Sequence, residues 1–139
     1  MDSIKVKDFM DPQAVSFTAE MSLTAALDKV LKSGHPGGPV VNDKKQVIGF
    51  ISEQDLLDKL VKVSYYCQDT HIVSDLMYKE VLTVSPETGI IELAEMMKVG
   101  KPKVYPVVGE DNKLVGIITR RDVLNAVGQS LDKCFKHPV

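Results

Sequence analysis

The chain has 139 residues, 44% of them hydrophobic and 26% charged, with a formal net charge of -2. That apolar share excludes disorder along the whole length, and the slight acidity excludes a general electrostatic grip on nucleic acid or an anionic membrane. Two cysteines cannot make a disulfide framework, Met1-Asp2-Ser3-Ile4-Lys5 lacks the apolar core of a signal peptide, and no apolar run nears ~18 residues, so a reducing, cytoplasmic setting is expected.

In chain order, Ala14-Val15-Ser16-Phe17 reads as a short strand. Leu23, Ala26, Leu27, Val30 and Leu31 then mark one face of a helix, with Ser22 as its N-cap and Gly34 closing it. Pro39-Val40-Val41 and Val47 to Ile51 are β-type runs, and the turn-formers Asn42 to Lys45 between them predict a hairpin. A second helix starts at Glu53 and carries Leu56, Leu57 and Leu60. The same order returns with Val81-Leu82-Thr83-Val84, then a helix through Ile90, Leu93, Ala94 and Met97. Thr88 is its expected N-cap and Gly100 its closing glycine. Val104 to Val108 and Leu114 to Ile118 predict a second hairpin, and a last helix from Arg120 bears Val123, Leu124 and Val127.

The recurrence has a fixed period. A shift of 67 positions lays Val6, Asp8 and Met10 on Val73, Asp75 and Met77, Pro39-Val40-Val41 on Pro106-Val107-Val108, Gly49 on Gly116, and Asp55 on Asp122, without a gap. The chain therefore reads as a tandem duplication. Residues 1–62 form the first repeat, 63–69 a linker, 70–130 the second repeat, and 131–139 a C-terminal tail. A ~60-residue unit buries too little surface to be comfortable alone. Two β-α-β-β-α units packed with pseudo-two-fold symmetry are expected, an α+β fold that presents the cleft between the halves twice.

Each second hairpin runs into its helix through a heptapeptide: Gly49-Phe50-Ile51-Ser52-Glu53-Gln54-Asp55, then Gly116-Ile117-Ile118-Thr119-Arg120-Arg121-Asp122. With the opening Val-x-Asp-Phe/Leu-Met and the Pro-Val-Val strand, this resembles the CBS domain pair, or Bateman module, over about residues 4–130. The resemblance implies a regulatory, non-catalytic module that binds an adenosine-containing ligand (AMP, ADP, ATP or S-adenosylmethionine) and associates into disks of two pairs. The chain is read as a stand-alone pair acting on an unknown regulated protein.

The second heptapeptide suits a nucleotide. Thr119 lies where a strand becomes a helix, whose start offers N–H donors and partial positive charge to a phosphate. Arg120 and Arg121 add forked donors. Asp122 can accept two hydrogen bonds from a ribose diol. Adenine is expected near Leu82-Thr83 and Tyr105-Pro106. Lys101 and Lys103 can reach a phosphate across the cleft. Against this stands a plainer role, Thr119 as N-cap and Asp122 as a helix-dipole residue. The first half offers a weaker site: Ser16, Gly38, Pro39, Ser52 and Asp55. It lacks arginine, and Glu53 repels phosphate, with protonated His35 as the only compensation.

Cys67 and Cys134 are also 67 apart, with His71 and His137 nearby, but neither a CxxC pair nor a glycine-rich knuckle accompanies them. Free thiols and no metal or cofactor are expected. No triad or paired-carboxylate pattern points to an enzyme. Two rival readings remain: a ligand-free dimerisation or docking module, and a nucleic-acid binder, which the charge balance disfavours. Surplus apolar positions, Leu56, Leu57, Leu60, Val61 and Val63 with Val123, Leu124, Val127 and Leu131, predict a homodimer.

Overall fold

The structure is a computed structural model that describes residues 4–67, 70–98 and 100–136. Helix α1 (Leu23–Ser33) starts where the Ser22 hydroxyl accepts the Ala25 amide at 3.2 Å and stops at Gly34, whose φ of +70° few other residues tolerate. Strands β1 (Gly37–Val41) and β2 (Val47–Ser52) form an antiparallel hairpin that runs straight into α2 (Glu53–Tyr66). The second repeat follows with α3 (Ile90–Met96), β3 (Val104–Val108), β4 (Leu114–Thr119) and α4 (Arg120–Lys136). Registers correspond: Gly37 faces Ser52 as Val104 faces Thr119, and each hairpin has an irregularity after Val40 or Val107.

Three local expectations are corrected. The opening strands shrink to single parallel bridges, Phe17 to Val40 and Val84 to Val107. Phe17 donates to the Pro39 carbonyl and accepts from Val41. The next rung would need an N–H from Pro39, or from Pro106 in the copy, and proline has none. Thr88 does not cap α3; Gly89 holds that position, and the Thr88 hydroxyl accepts the Ser85 amide instead. Finally, α3 ends at Met96, so Gly100 (φ +88°) lies beyond the helix rather than closing it.

The halves exchange their leading segments. Val6 packs in a core with Ile90, Leu93 and Ile118, whereas Val73 packs with Leu23, Val40 and Ile51. Backbone bonds repeat the exchange with the 67-residue period. Val6 donates to Thr88 as Val73 donates to Met21, and Asp11 pairs both ways with Ile117 as Tyr78 does with Phe50. Lys7 adds a 2.9 Å ion pair to Glu87, which holds that carboxyl below its usual pKa. Neither half buries its own apolar positions without the other's strap.

The two cores solve one packing problem differently. In the first, Phe17 is the large residue and Gly38 lies against it: a Cβ on Gly38 would meet the Phe17 ring at 2.9 Å. In the second, Val84 replaces the phenylalanine and Tyr105 replaces the glycine, so the ring arrives from the strand. The ring of Tyr105 is fully buried, and its hydroxyl finds no hydrogen-bond partner among the described residues. Burial raises its pKa. An unpaired buried hydroxyl costs stability. We therefore expect Tyr105→Phe to leave the fold unharmed or to stabilise it by about 1 kcal/mol in urea denaturation; a loss would mean the hydroxyl has a partner in solution.

Candidate ligand cleft

Both heptapeptides place a hydroxyl residue as the last of a strand and an aspartate on the first helical turn. Ser52 Oγ accepts the Asp55 amide at 3.2 Å and donates to Asp55 Oδ2 at 2.9 Å. In the copy, Thr119 Oγ1 accepts the Asp122 amide at 3.1 Å, and Asp122 Oδ2 accepts the Thr119 amide at 2.9 Å. The second pair is a reciprocal capping arrangement. The plainer role weighed for Thr119 and Asp122 is thus present in the structure. It occupies one carboxylate oxygen of each aspartate. The first amides of α2 and α4 are also used, Glu53 by the Pro36 carbonyl and Arg120 by the Lys103 carbonyl, each at 2.9 Å. The helix starts are therefore partly spent as anion sites, and side chains must supply much of any phosphate contact.

A cleft of 590 Å³ opens at the first of these helix starts. Ser52, Glu53 and Gln54 form one wall. The other comes from the second repeat: Val81 and Leu82, then Lys101 to Val104. Phe50 and Tyr78 complete it. Its size and mixed apolar and polar lining suit a nucleoside-sized ligand. Glu53 and Glu80 face Lys101 and Lys103 in this cleft. Charges of both signs are present where the sequence alone emphasised Glu53.

The predicted site residues divide. Leu82 stands with Ser52, not with Thr119, because the exchanged segments set the start of one repeat against the helix start of the other. Lys101 and Lys103 likewise lie in the cleft of the first motif. Thr83 faces an outer groove with Ser85, Thr88 and Val108. Tyr105 is core, and Pro106 is buried opposite Ile117. Thr119 and Asp122 are half-buried, with Arg120 and Arg121 exposed beside them. On the weaker side, Ser52 and Asp55 are bonded together, Gly38 and Pro39 are buried in β1, and Ser16 lines a small groove with Leu114 to Gly116. Residues that the sequence reading did not single out are Pro36, Phe50, Tyr78 and Glu80. The 67-residue shift marks Pro36 as the counterpart of Lys103.

Cys67 and Cys134 are exposed free thiols. His137 lies outside the described residues. Among the described residues, no three His, Cys, Asp or Glu side chains gather as a metal site, and no helix is long and apolar enough to cross a membrane.

Two small antiparallel hairpins, each leading into a helix and strapped by the opening segment of the other repeat, define a paired α+β module with a cleft between its repeats. The chain belongs to the CBS domain family, which matches it twice, at residues 6–62 and 73–129. The fold is similar to that of CBSX2 from Arabidopsis thaliana (TM-score 0.81, 30% identity, 94% of this chain and 98% of that one). A structure of CBSX2 in complex with AMP is similar as well, with TM-score 0.77 and 31% identity over 91% of this chain and 97% of that one. In sequence, the chain is 32% identical over 130 residues to the A-adding tRNA nucleotidyltransferase of Aquifex aeolicus, covering 94% of this chain. It is 28% identical over 136 residues to protein MJ1225 of Methanocaldococcus jannaschii, covering 95%. The chain spans only 15% and 45% of those two proteins' lengths.

Proposed function

We propose that the chain is a regulatory, non-catalytic module that binds an adenosine-containing compound between its repeats and passes that state to a partner protein. The observation that carries this reading is the cleft itself: it has nucleoside size, it is walled by Ser52, Glu53 and Gln54 at one repeat's helix start and by the other repeat's opening segment, and the fold is one solved elsewhere with AMP. AMP, ADP, ATP and S-adenosylmethionine all carry the adenosine that this cleft suits.

In this reading the repeats are residues 1–62 and 70–130, and each motif aspartate receives the ribose diol. Applying the 67-residue shift to the cleft gives its mate, with Thr119, Arg120 and Arg121 opposite Ala14 and Val15. The mate carries the two arginines, so a phosphorylated ligand prefers it. The first cleft, where Glu53 and Glu80 offset Lys101 and Lys103, holds a phosphate less well. Native mass spectrometry of the purified protein tests the reading. A co-purified nucleotide or adenosyl compound supports it, and a ligand-free chain that also takes up none of the four when they are added contradicts it.

A ligand-free docking module is favoured by one observation, that both carboxylates are already engaged at their helix starts, Asp55 by the Ser52 hydroxyl and Asp122 by the Thr119 amide. The readings share one feature, a homodimer. Leu57, Val61 and Tyr65 on α2 and Leu124, Leu131 and Phe135 on α4 stay exposed, while Leu56 and Val123 are consumed by the cores. Apolar stripes of this extent are covered in stable proteins. Sedimentation at micromolar concentration should therefore give about twice the 15.3 kDa chain mass; a species of one chain alone would rule the dimer out.

A further inference from the structure

The two repeats fill the space between opening segment and first helix differently. In the first repeat, Lys29 on α1 reaches across that space. Its ammonium donates to the Ser16 carbonyl at 2.7 Å and stands 5.8 Å from the centre of the Phe17 ring. The 67-residue shift turns Lys29 into Met96, Ser16 into Thr83 and Phe17 into Val84. The backbone is unchanged: Val84 donates to Pro106 and accepts from Val108, as Phe17 does with Pro39 and Val41. A trans peptide sets its C=O opposite its N–H. The Thr83 carbonyl therefore faces away from Pro106, on the side where the Ser16 carbonyl meets Lys29. A thioether has no proton to give it, and none of the other described residues donates to it. The space stands open as a groove of 700 Å³ with Thr83, Val84, Met96 and Val108 on its walls. Its charged lining has one sign: Glu92, one helical turn before Met96, and Glu110, just past β3. Glu92 stands where the first repeat has Ala25, so the second repeat has lost an ammonium and gained a carboxylate.

We propose that this groove is a second binding site, for an aliphatic polyamine. One ammonium takes the place that Lys29 Nζ holds in the first repeat, on the Thr83 carbonyl beside Glu92. The methylenes lie along Val84, Met96 and Val108, and a second ammonium meets Glu110. Two carboxylates on a partly apolar groove suit a dication on a methylene chain. They do not suit a metal ion, which needs several oxygens gathered at one point, and among the described residues no such cluster forms. The groove shares no lining residue with the ligand cleft, so this site stands whether or not the adenosine reading does.

Calorimetry with spermidine at low salt is the test. Met96→Lys rebuilds the first repeat's arrangement and should weaken spermidine by about tenfold or more, because its own ammonium then takes the Thr83 carbonyl. Glu92→Gln keeps the shape, removes the charge, and should weaken it by a similar factor. Glu95→Gln removes the same charge from an exposed residue of α3 outside the groove and should leave binding within about twofold. n-Butylamine, with a single ammonium, should bind about tenfold more weakly than spermidine. No binding of spermidine to the wild-type chain at millimolar concentration overturns the proposal, as does unchanged binding in either Met96→Lys or Glu92→Gln. An equal loss in Glu95→Gln overturns it too, since that marks general attraction of a polycation to an acidic chain. Equal affinity for n-butylamine contradicts the two-point site.

Discussion

Gly49→Val should destabilise the protein by about 3 kcal/mol, and Gly116→Val by a similar amount, measured by urea denaturation. A Cβ at Gly49 would lie 2.7 Å from the Met77 sulfur and 2.9 Å from the Tyr78 carbonyl oxygen. At Gly116 it would meet the Asp11 carbonyl oxygen at 2.8 Å and the Met10 sulfur at 3.0 Å. A methionine can swing aside, but the carbonyls belong to the paired backbone that fastens each repeat's opening segment onto the other repeat. The glycine that opens each heptapeptide is therefore explained by the exchange of straps and not by ligand contact. Valine there would push the strap off and uncover Val73 or Val6, both fully buried. A loss below about 1 kcal/mol would show that the straps adapt and that the exchange contributes little.

The second large effect concerns binding. Asp122→Ala should weaken AMP at least tenfold, since each hydrogen bond from a ribose hydroxyl to an ionised carboxylate contributes about 1.5–3 kcal/mol. Asp55→Ala should cost less, because the first cleft carries Glu53 where the second motif carries Arg120. The structure changes one expected control. Asp122 Oδ2 holds the Thr119 amide, so Asp122→Ala should also lower stability by about 1 kcal/mol. Asp122→Asn separates the roles, because asparagine can still accept the Thr119 amide while losing the charge. If Asp122→Asn keeps stability and loses AMP, the residue serves the ligand. If both variants bind AMP like the wild type and differ only in stability, Asp122 is a cap and nothing more. Equal losses for Asp55→Ala and Asp122→Ala would contradict the asymmetry.

The duplication was readable in the sequence because it preserves spacing. Apolar positions of α1, the two hairpins, and the helix starts at Glu53 and Arg120 follow from periodicity and turn chemistry, and the structure has them there. The paired strands follow from the sequence because each half supplies both partners within one short hairpin. What sequence periodicity could not reveal is which half each segment packs against. Val6 and Val73 occupy matching positions in the repeat whether they pack at home or across, so the exchange left no trace in the spacing. Spacing alone therefore sets Leu82 with Thr119, whereas its wall partner is Ser52. Its place beside Pro106 points Tyr105 toward the ligand, yet the ring is core. Its burial follows from the loss of bulk at Val84, a compensation visible only when Phe17, Gly38, Val84 and Tyr105 are compared together. Tyr78 lines the cleft where the other half has Asp11, and a repeat is legible only at positions where the halves agree.

The central claim, that an adenosine-containing compound occupies the cleft between repeats, is tested most directly by chemical unfolding of the wild-type chain with AMP, ADP, ATP and S-adenosylmethionine added one at a time. A ligand present at about 100 times its dissociation constant adds about 2.7 kcal/mol to the free energy of unfolding. The account predicts a saturable gain of that order with at least one of the four, and its reduction in Asp122→Ala. No gain with any of the four at millimolar concentration would contradict it.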